Sequence, residues 1–228
     1  VFFFFFKQKG VPIERLLDKY KVYYMEDLKA NLPKIELVKN FLRVMLLPAW
    51  YLEWRFMKKV SLDDVATIIF SSGSEGMPKG VELTHLNLIG NIKQCESVLN
   101  PSSEDVFLGS LPLFHAFGFS ITTMLCLVCG VPVATCPDPT DAKLVSRMCA
   151  QFKVTIMVAT GTFLRMWGIN RAVHPLMFEH IRSIYAGAEK IREDVRQLYR
   201  TKFKLEIFEG YGSTETTPVA AVNTKDVL

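Results

Sequence analysis

The sequence lacks a strong excess of charge of either sign. Lysine and arginine number 27 against 23 aspartates and glutamates, which gives a net charge of +4 over 228 residues. Nucleic-acid binding needs basic side chains concentrated on one surface, and here the small excess is scattered. We therefore expect no nucleic-acid partner. Half of the residues are hydrophobic and 22% are charged, which is typical of a globular protein and excludes a disordered chain.

Cysteine is scarce and irregularly spaced. The five cysteines are Cys95, Cys126, Cys129, Cys136 and Cys149, an odd set unlike the disulfide framework of a small secreted protein. We expect a reducing, cytoplasmic location, with the inner membrane as the alternative for the full-length protein. Cys126 and Cys129 form one C-x-x-C with apolar neighbours and no second pair, which favours small buried side chains over a zinc or redox site.

The sequence also lacks a long uninterrupted hydrophobic run. The nearest approach, residues 117–134, contains serine and threonine and is broken at Gly130-Val131-Pro132. This pattern favours a buried helix leading into a buried strand, with a membrane span as the alternative. The chain begins with VFFFFFKQKG, without an initiator methionine or a signal-peptide cleavage site, so we expect that it is cut from a longer protein.

From residue 61 onward, short β-branched and aromatic runs alternate with segments of helical periodicity. Leu88, Ile92, Cys95 and Leu99 share one helical face, and Thr84 is placed to cap that helix. Asp138 to Asp141 mark a second helix start. The alternation predicts an α/β fold, a parallel-rich sheet flanked by helices. Its predicted strands are residues 65–70, 106–110, 131–135, 154–159, 181–186 and 205–210.

Residues 1–60 form a different region, helical in propensity, with a candidate strand at residues 21–25. We expect domain boundaries at 1–60 for this helical lead-in segment and at 61–228 for the α/β subdomain. One interpretation is an interfacial membrane helix; the other is a helix packed on protein, which Pro48 favours by interrupting the pattern. The pattern consists of basic and aromatic side chains in alternation: Lys39, Arg43, Trp50, Tyr51, Trp54, Arg55, Phe56, Lys58 and Lys59.

Ligands of parallel α/β sheets bind beyond the carboxyl ends of the strands, so the segments that follow strands are the candidate sites. Four of them are unusual: SSGSEGMPKG at 71–80, LPLFHAFGF at 111–119, YAGAEK at 185–190 and EGYGSTETTP at 209–218. Each also has an interpretation without a ligand, which for YAGAEK is an ordinary strand-to-helix turn.

The segment 71–80 has the glycines, hydroxyls and lysine of a phosphate-binding loop. It is not a Walker A loop, because Pro78 precedes Lys79 and Gly80 follows it. A glycine-rich turn without a ligand is the alternative.

The other segments carry candidate ligand groups. His115 follows a predicted strand and is interpreted either as a core side chain or as the lining of a pocket for an apolar substrate. Small residues at 187 and 188 let a planar ligand approach the backbone. Tyr211 can stack on a base, and Glu215 offers the hard oxygen ligands that Mg²⁺ prefers, or is a solvated side chain in a polar turn.

These four motifs, in this order, resemble the core motifs of the adenylate-forming (AMP-binding) superfamily of ligases, and the resemblance covers residues 65–218. Within it, SGSEG, GAEK and YYMEDLKANLPK followed by LLPAW are similar to the acyl-acyl carrier protein synthetase part of bifunctional 2-acylglycerophosphoethanolamine acyltransferases. The resemblance implies that residues 61–228 are a nucleotide-binding subdomain within the large N-terminal domain of such an enzyme. It also implies ATP and Mg²⁺ as cofactors, a long-chain fatty acid as substrate, and acyl carrier protein or CoA as the thiol partner.

The resemblance also implies roles for individual positions. Thr214 corresponds to the hydroxyl on the α phosphate, Glu215 to the magnesium ligand and His115 to the position near the substrate carboxylate; with Lys79 they form the expected catalytic set. Aromatic residues beside His115, namely Phe114, Phe117 and Phe119, suit a fatty chain. The expected nucleotide-binding positions are Ser71, Ser72, Gly73, Ser74, Gly76, Lys79, Gly187, Ala188, Glu189, Tyr211, Gly212 and Thr214.

Two departures from the family pattern affect these expectations. Glu75 stands where most of the superfamily has threonine, and a carboxylate repels phosphate, so we exclude it from phosphate contact. The family's ribose-binding aspartate, the arginine after it and the lysine of the small C-terminal domain lie downstream of these motifs. We therefore expect the C-terminal domain to be absent and the fragment to be inactive. There are two alternative functions: a noncatalytic membrane-associating module, or a ligase for an aromatic or amino acid. Peripheral membrane contact is also considered for the full-length protein.

Overall fold

A computed structural model describes residues 25–57, 59–71 and 78–224 of the chain. The chain divides into two compact units, residues 1–59 and 60–228. The first contains helices α1 (Met25–Ala30), α2 (Lys34–Leu46) and α3 (Ala49–Phe56). Leu47, which precedes Pro48, is extended and ends α2, as the steric restriction on a pre-proline residue requires. The predicted helical character is confirmed within the described residues 25–57. The candidate strand lies outside the described residues except for Met25, which begins α1.

The helices of the first unit carry many apolar side chains without burying them. No residue of α2 or α3 is buried, and Phe41, Leu46, Trp50 and Trp54 are exposed. Among the residues that the structure describes, every helix is too short or too polar to cross a bilayer.

The second unit opens with an antiparallel hairpin of β1 (Val65–Ser71) and β2 (Lys79–Thr84), in which Ser71 lies opposite Lys79. The strand at 65–70 was correctly predicted, but its inclusion in the parallel sheet was wrong, because it pairs only with β2 in a separate two-stranded sheet. β2 itself was not predicted.

The main sheet has six strands in the order β4-β3-β5-β6-β7-β8. The first five are parallel, and β8 is antiparallel to β7 at one edge. The predicted strands of this sheet are confirmed, with most of them beginning one or two residues later than expected; the edge strand β8 was not predicted. The strands are β3 (Phe107–Gly109), β4 (Val133–Thr135), β5 (Ile156–Ala159), β6 (Ser183–Ala186), β7 (Ile207–Gly212) and β8 (Val219–Val222).

Helices connect the strands, and two of them begin where a cap was predicted. Thr84 caps α4 (His85–Leu99), because its hydroxyl accepts a hydrogen bond from the Asn87 N–H and its own N–H donates to Asn87 Oδ1. Asp141 caps the helix Ala142–Gln151, because its side chain accepts hydrogen bonds from the Lys143 and Leu144 N–H groups. The other helices are α5 (Ala116–Phe119), a π-helix (Ser120–Leu125), α6 (Cys126–Cys129), α7 (Ala142–Gln151), α8 (Gly161–Ile169), α9 (Glu193–Leu198) and a second π-helix (Tyr199–Phe203).

Helices cover both faces of the main sheet, which explains why its central strands are hydrophobic throughout. In β5 all four residues are buried; Met157 and Ala159 pack into one core with α7 and α8, and Ile156 and Val158 into the other with α4. The predicted apolar face of α4 is confirmed, since Leu88, Ile92, Cys95 and Leu99 are all buried. The stretch 117–134 forms α5, the π-helix and α6 and then leads into β4, as predicted.

A polar cluster ties the amino ends of the strands together. Asp105 is buried and accepts hydrogen bonds from Arg182 Nε and Nη2, each at 2.8 Å, and from Thr155 Oγ1 at 2.6 Å. The Arg182 guanidinium holds the pKa of the Asp105 carboxyl well below its usual range. This edge lies opposite the carboxyl ends, where ligands of such sheets bind.

Candidate functional site

The loops that follow β3, β6 and β7 meet the end of β1 around one cavity of about 300 Å³. Parallel strands place their carboxyl ends at a common edge, so His115 and Glu215, 100 residues apart in sequence, line the same cavity. Eight of the expected site residues line this cavity: Ser71, His115, Gly187, Ala188, Tyr211, Gly212, Thr214 and Glu215.

The remaining expected residues do not line the cavity or lie outside the described part of the chain. Lys79 is exposed on β2, opposite Ser71. Glu189 is exposed and follows the lining residue Ala188. Residues 72–77, which include Ser72, Gly73, Ser74, Glu75 and Gly76, lie outside the described residues, so their expected phosphate contacts stay predictions.

The Glu189 side chain binds to the protein itself. Its carboxylate accepts hydrogen bonds from the Thr162 N–H at 2.6 Å and from Thr162 Oγ1 at 3.1 Å, at the start of α8. The first turn of a helix has backbone N–H groups without intrahelical partners, and a carboxylate there is favoured by the helix dipole. The Thr162 N–H lowers the pKa of Glu189. The contact fixes the loop that contains Ala188, a residue in the left-handed conformation with φ of 68°.

A second carboxylate anchors the other end of the same loop. Glu209, on β7, accepts a hydrogen bond from the Ile191 N–H at 3.0 Å and forms an ion pair with Arg196. Arg196 also donates to the Ile207 carbonyl at 2.8 Å. The loop is thus held between α8 and β7, which places Gly187 and Ala188 at the cavity wall.

The turn after β7 presents a set of uncommitted polar groups. The Ser213 N–H donates to Thr216 Oγ1 at 2.9 Å, and Thr216 Oγ1 donates to the Pro218 carbonyl at 2.6 Å, which closes the turn internally. Thr214 and Glu215 make no side-chain hydrogen bond to other described residues and line the cavity. Their hydroxyl and carboxylate are therefore available to a ligand.

Gly212 is required by its surroundings. A Cβ atom at this position would lie 1.7 Å from the Pro218 carbonyl oxygen, so no side chain fits without backbone movement. Tyr211, beside it, is 76% exposed and lines the cavity, so its aromatic ring is accessible to a planar ligand.

His115 stands at the start of α5 and lines the cavity. Its Nδ1 accepts a hydrogen bond from the Phe117 N–H at 3.3 Å, so in the neutral ring Nε2 carries the proton. His115 is exposed rather than part of the core, and its Nε2 makes no hydrogen bond to the rest of the described chain.

A small apolar chamber adjoins the cavity. It has a volume of about 40 Å³ and shares Phe117, Gly210 and Val219 with the larger cavity. Cys95 and Leu99 of α4 are among its other lining residues. An apolar group on a ligand in the main cavity could enter this chamber.

Glu215 is the only carboxylate among the described residues that line the cavity and could bind Mg²⁺. Among the described residues, no group of three or more histidine, cysteine, aspartate or glutamate side chains could hold a metal ion alone. Mg²⁺ commonly binds through one or two carboxylates together with substrate phosphates and water. Glu215 alone fits that requirement when a polyphosphate occupies the cavity.

Sequence reasoning missed Asn91, a buried polar residue on α4 that binds the backbone of Val219. Its position among Leu88, Ile92 and Cys95 was the available signal, since an amide on an apolar helical face needs partners. The lining residues Pro218 and Val219 were also missed, although Pro218 is the last residue of the motif at 209–218 and Val219 directly follows it.

The fold and cavity define an α/β protein with a ligand site at the carboxyl ends of its parallel strands, the predicted fold class. The family model described as AMP-binding enzyme matches residues 13–227. The chain therefore belongs to the AMP-binding enzyme family.

One curated relative and two solved structures illustrate what this chain is similar to. The chain is 30% identical over 169 residues to a probable 4-coumarate–CoA ligase 3 of Dictyostelium discoideum, covering 72% of this chain and 30% of the relative. Apo MatB from Rhodopseudomonas palustris has a TM-score of 0.68 at 23% identity, over 75% of this chain and 33% of that one. The inhibitor-bound N-terminal domain of FACL13 from Mycobacterium tuberculosis has a TM-score of 0.65 at 22% identity, over 75% of this chain and 43% of that one. The chain thus spans 30% of the length of the curated relative.

Proposed function

We propose that this chain is the nucleotide-binding part of an ATP-dependent acid–thiol ligase. In the first half-reaction a carboxylate oxygen attacks the α phosphorus of ATP, the bond to the β-phosphate oxygen breaks, and pyrophosphate leaves. In the second, a pantetheine thiol attacks the acyl carbon, loses its proton, and displaces AMP. The observation that carries the proposal is the convergence of Ser71, His115, Gly187, Tyr211 and Glu215 on one cavity.

The cavity residues match the needs of the first half-reaction. Tyr211 would stack on adenine and the small residues Gly187 and Ala188 would let the base approach the backbone. Thr214 would donate its hydroxyl to the α phosphate, and Ser71 with Lys79 and the loop 72–77 would hold the β and γ phosphates. Glu215 would hold Mg²⁺, which neutralises charge that develops on the leaving pyrophosphate. His115 would donate from Nε2 to the substrate carboxylate.

Titration calorimetry with ATP, with and without Mg²⁺, tests this proposal on the 228-residue chain. We expect Tyr211→Ala to weaken ATP binding on the order of tenfold under both conditions, through loss of stacking. Glu215→Ala should abolish only the gain in affinity that Mg²⁺ confers. Glu193→Ala is the matched control, because Glu193 is exposed and forms no hydrogen bond or ion pair with other described residues. Equal ATP affinity in all four proteins would refute the site.

For the acid, we propose a long-chain fatty acid, with acyl carrier protein or CoA as thiol partner. The motifs SGSEG and GAEK support this choice and the finer assignment to the acyl-acyl carrier protein synthetase part of a bifunctional 2-acylglycerophosphoethanolamine acyltransferase, in cytoplasmic fatty acid and phospholipid metabolism. An aromatic acid is the second candidate, supported by the coumarate relative and by a chamber of about 40 Å³. Non-hydrolysable acyl-adenylate analogues with a hexadecanoyl or a coumaroyl group, compared by calorimetry, distinguish the two.

Peripheral membrane contact is proposed for the first unit, on the basis of the exposed Trp50 and Trp54 beside basic residues such as Arg55. Flotation with anionic vesicles should depend on residues 1–59. Flotation that is unchanged when both tryptophans are replaced by alanine would contradict it.

A further inference from the structure

Asn91 lies on α4, 128 residues away in sequence from the residue that it binds. Its Nδ2 donates to the Val219 carbonyl at 2.7 Å, and its Oδ1 accepts from the Val219 N–H at 3.3 Å. One amide side chain therefore satisfies both backbone groups of one residue. This pairing is the same as the one that a neighbouring strand would provide at the edge of a sheet.

The remaining hydrogen-bonding capacity of Asn91 is also used. Nδ2 donates to Gln94 Oε1 at 3.3 Å, and Oδ1 accepts from Cys95 Sγ at 3.8 Å. Asn91 is only 7% exposed. A buried amide is costly unless it is hydrogen-bonded, so its four contacts fix both its rotamer and the position of Val219 relative to α4.

Val219 is the first residue of β8, which follows the turn that contains Thr214 and Glu215 and pairs with β7, the strand of Tyr211. It pairs with Gly212 across the β7–β8 ladder and lines both the cavity and the apolar chamber. A shift of Val219 away from α4 would therefore move the turn that carries the cavity's polar groups.

The other side of the cavity is attached to the same helix. α4 begins at His85, directly after β2, and β2 is paired with the strand that ends at Ser71. The β2 strand also packs beside Thr214–Thr216. Asn91 is thus a direct hydrogen-bonded link between the helix that continues the Ser71–Lys79 hairpin and the turn at 211–219.

We propose that Asn91 is a positioning residue that sets the distance between these two walls of the cavity by holding the backbone of Val219. The functional part of this inference rests on the proposed ATP site. The wall that contains Ser71 is assigned there to the polyphosphate, and the wall that contains Tyr211 and Glu215 is assigned to adenine and Mg²⁺. Asn91 itself does not line the cavity.

The test compares Asn91→Ala, Asn91→Asp and Gln94→Ala in the 228-residue chain. Asn91→Asp keeps the size of the side chain and one acceptor but places an oxygen against the Val219 carbonyl, so it separates hydrogen bonding from packing. Gln94→Ala is the matched control on the same helix, since it removes a neighbour of Asn91 and leaves both bonds to Val219 in place.

Hydrogen exchange provides a ligand-independent measurement. Both Asn91 variants should increase amide exchange in residues 210–222 on the order of tenfold, while β5 and β6 stay protected and Gln94→Ala stays like the wild type. Unchanged exchange at 210–222 in both Asn91 variants would overturn the inference. A uniform increase over all strands would also overturn it, because that result indicates only general destabilisation.

Calorimetry then tests the functional part. In the wild type Mg²⁺ should increase the affinity for ATP. This increase should be about fivefold smaller in both Asn91 variants, because Glu215 is displaced. A defect that only lowers the folded fraction would leave the increase in affinity unchanged in the molecules that are folded. An undiminished gain in both variants refutes the positioning role. If the wild type binds no ATP, the proposed function fails, whereas the exchange data still decide whether Asn91 holds the turn.

Discussion

At some positions of the candidate site, the space left by the neighbouring backbone limits the residue type as much as the chemistry of the site does. Gly212 is an example, because its neighbour Pro218 occupies the space that a side chain would need. Gly90 is the contrasting case in the same unit, since a Cβ atom there would meet nothing within 4 Å. Both are glycines in regular secondary structure, so they form a matched pair for substitution by alanine.

We expect Gly212→Ala to lower the free energy of unfolding by about 3 kcal/mol, because the turn after β7 must open to accommodate the methyl group. Gly90→Ala should raise the free energy of unfolding by about 0.5–1 kcal/mol, since alanine restricts the unfolded chain and favours a helix interior. Urea denaturation of the three proteins measures both changes. Equal stability of Gly212→Ala and the wild type would contradict the tight packing at Pro218.

The sequence motifs predicted which residues line the cavity at some positions but did not reveal the contacts of others. The pattern YGSTE placed an aromatic ring, a hydroxyl and a carboxylate at one strand end, and all three line the cavity. The pattern GAEK could not reveal that Glu189 turns toward Thr162, because that helix start lies 27 residues earlier in the chain. The interaction of Asn91 with Val219 was equally inaccessible, since it depends on how the hairpin and β8 pack.

At the scale of elements, the main sheet is braced at the edge away from the cavity. Asp105 precedes β3, Thr155 precedes β5 and Arg182 precedes β6, so one carboxylate joins the starts of three strands. Asp105 also accepts from the Ser102 N–H at 2.8 Å. The side chain of Asp105 is 4% exposed and that of Arg182 is 42% exposed, so the ion pair is shielded mainly on the carboxylate side.

We expect Asp105→Asn to lower the free energy of unfolding by about 2 kcal/mol at neutral pH, because it removes a charged acceptor from a buried cluster. The folded-state pKa of Asp105 is depressed, so this stabilisation is fully present above its ordinary pKa and is lost as the pH falls toward the lower folded-state value. The difference between wild type and variant should therefore shrink as the pH falls below about 4. Urea denaturation between pH 7 and pH 2.5 measures it.

Asp63→Asn provides the comparison for this experiment, because the Asp63 side chain is exposed and accepts no hydrogen bond from the described residues. Its stability should match the wild type throughout. A constant difference between Asp105→Asn and wild type down to pH 2.5 would show that the ionised carboxylate is not the source of the stabilisation.

Elements with strong local signals were predicted, and those that depend on non-local pairing were not. The β-branched runs of β5 and β6 and the capped helix α4 are identifiable because periodicity and caps are local. Strand β1 was assigned to the wrong sheet, since an apolar run does not indicate which strand it pairs with. The short edge strand β8 lacks a distinctive pattern, and only its pairing with β7 makes it a strand.

At the scale of the molecule, the free cysteines report on the integrity of the second unit. Cys95, Cys126, Cys136 and Cys149 are buried, and Cys129 is half-buried at the end of α6. Burial raises the pKa of Cys95 to about 11 and that of Cys126 and Cys149 to about 12. Reaction with a disulfide reagent needs an accessible thiolate, so these three thiols are protected both sterically and by their protonation.

We expect one thiol to react quickly with a disulfide reagent at pH 8 and four to react slowly. As the urea concentration is raised, the rate of the slow reactions should increase in parallel with the loss of the far-ultraviolet circular dichroism signal. Cys129→Ser should remove the fast phase and leave the slow phases unchanged, because Cys129 is the one accessible thiol among five. The slow phases should follow the population of opened molecules whenever closing is faster than reaction. Two or more fast-reacting thiols in the absence of urea would mean that one of the two cores opens while the main sheet stays folded. Helices α4 and α6 pack into one of these cores, and α7 packs into the other. Since Cys95 follows Asn91 by one turn on α4, fast labelling of Cys95 in Asn91→Ala, with Cys149 still protected, would locate such an opening at the cavity side of the molecule.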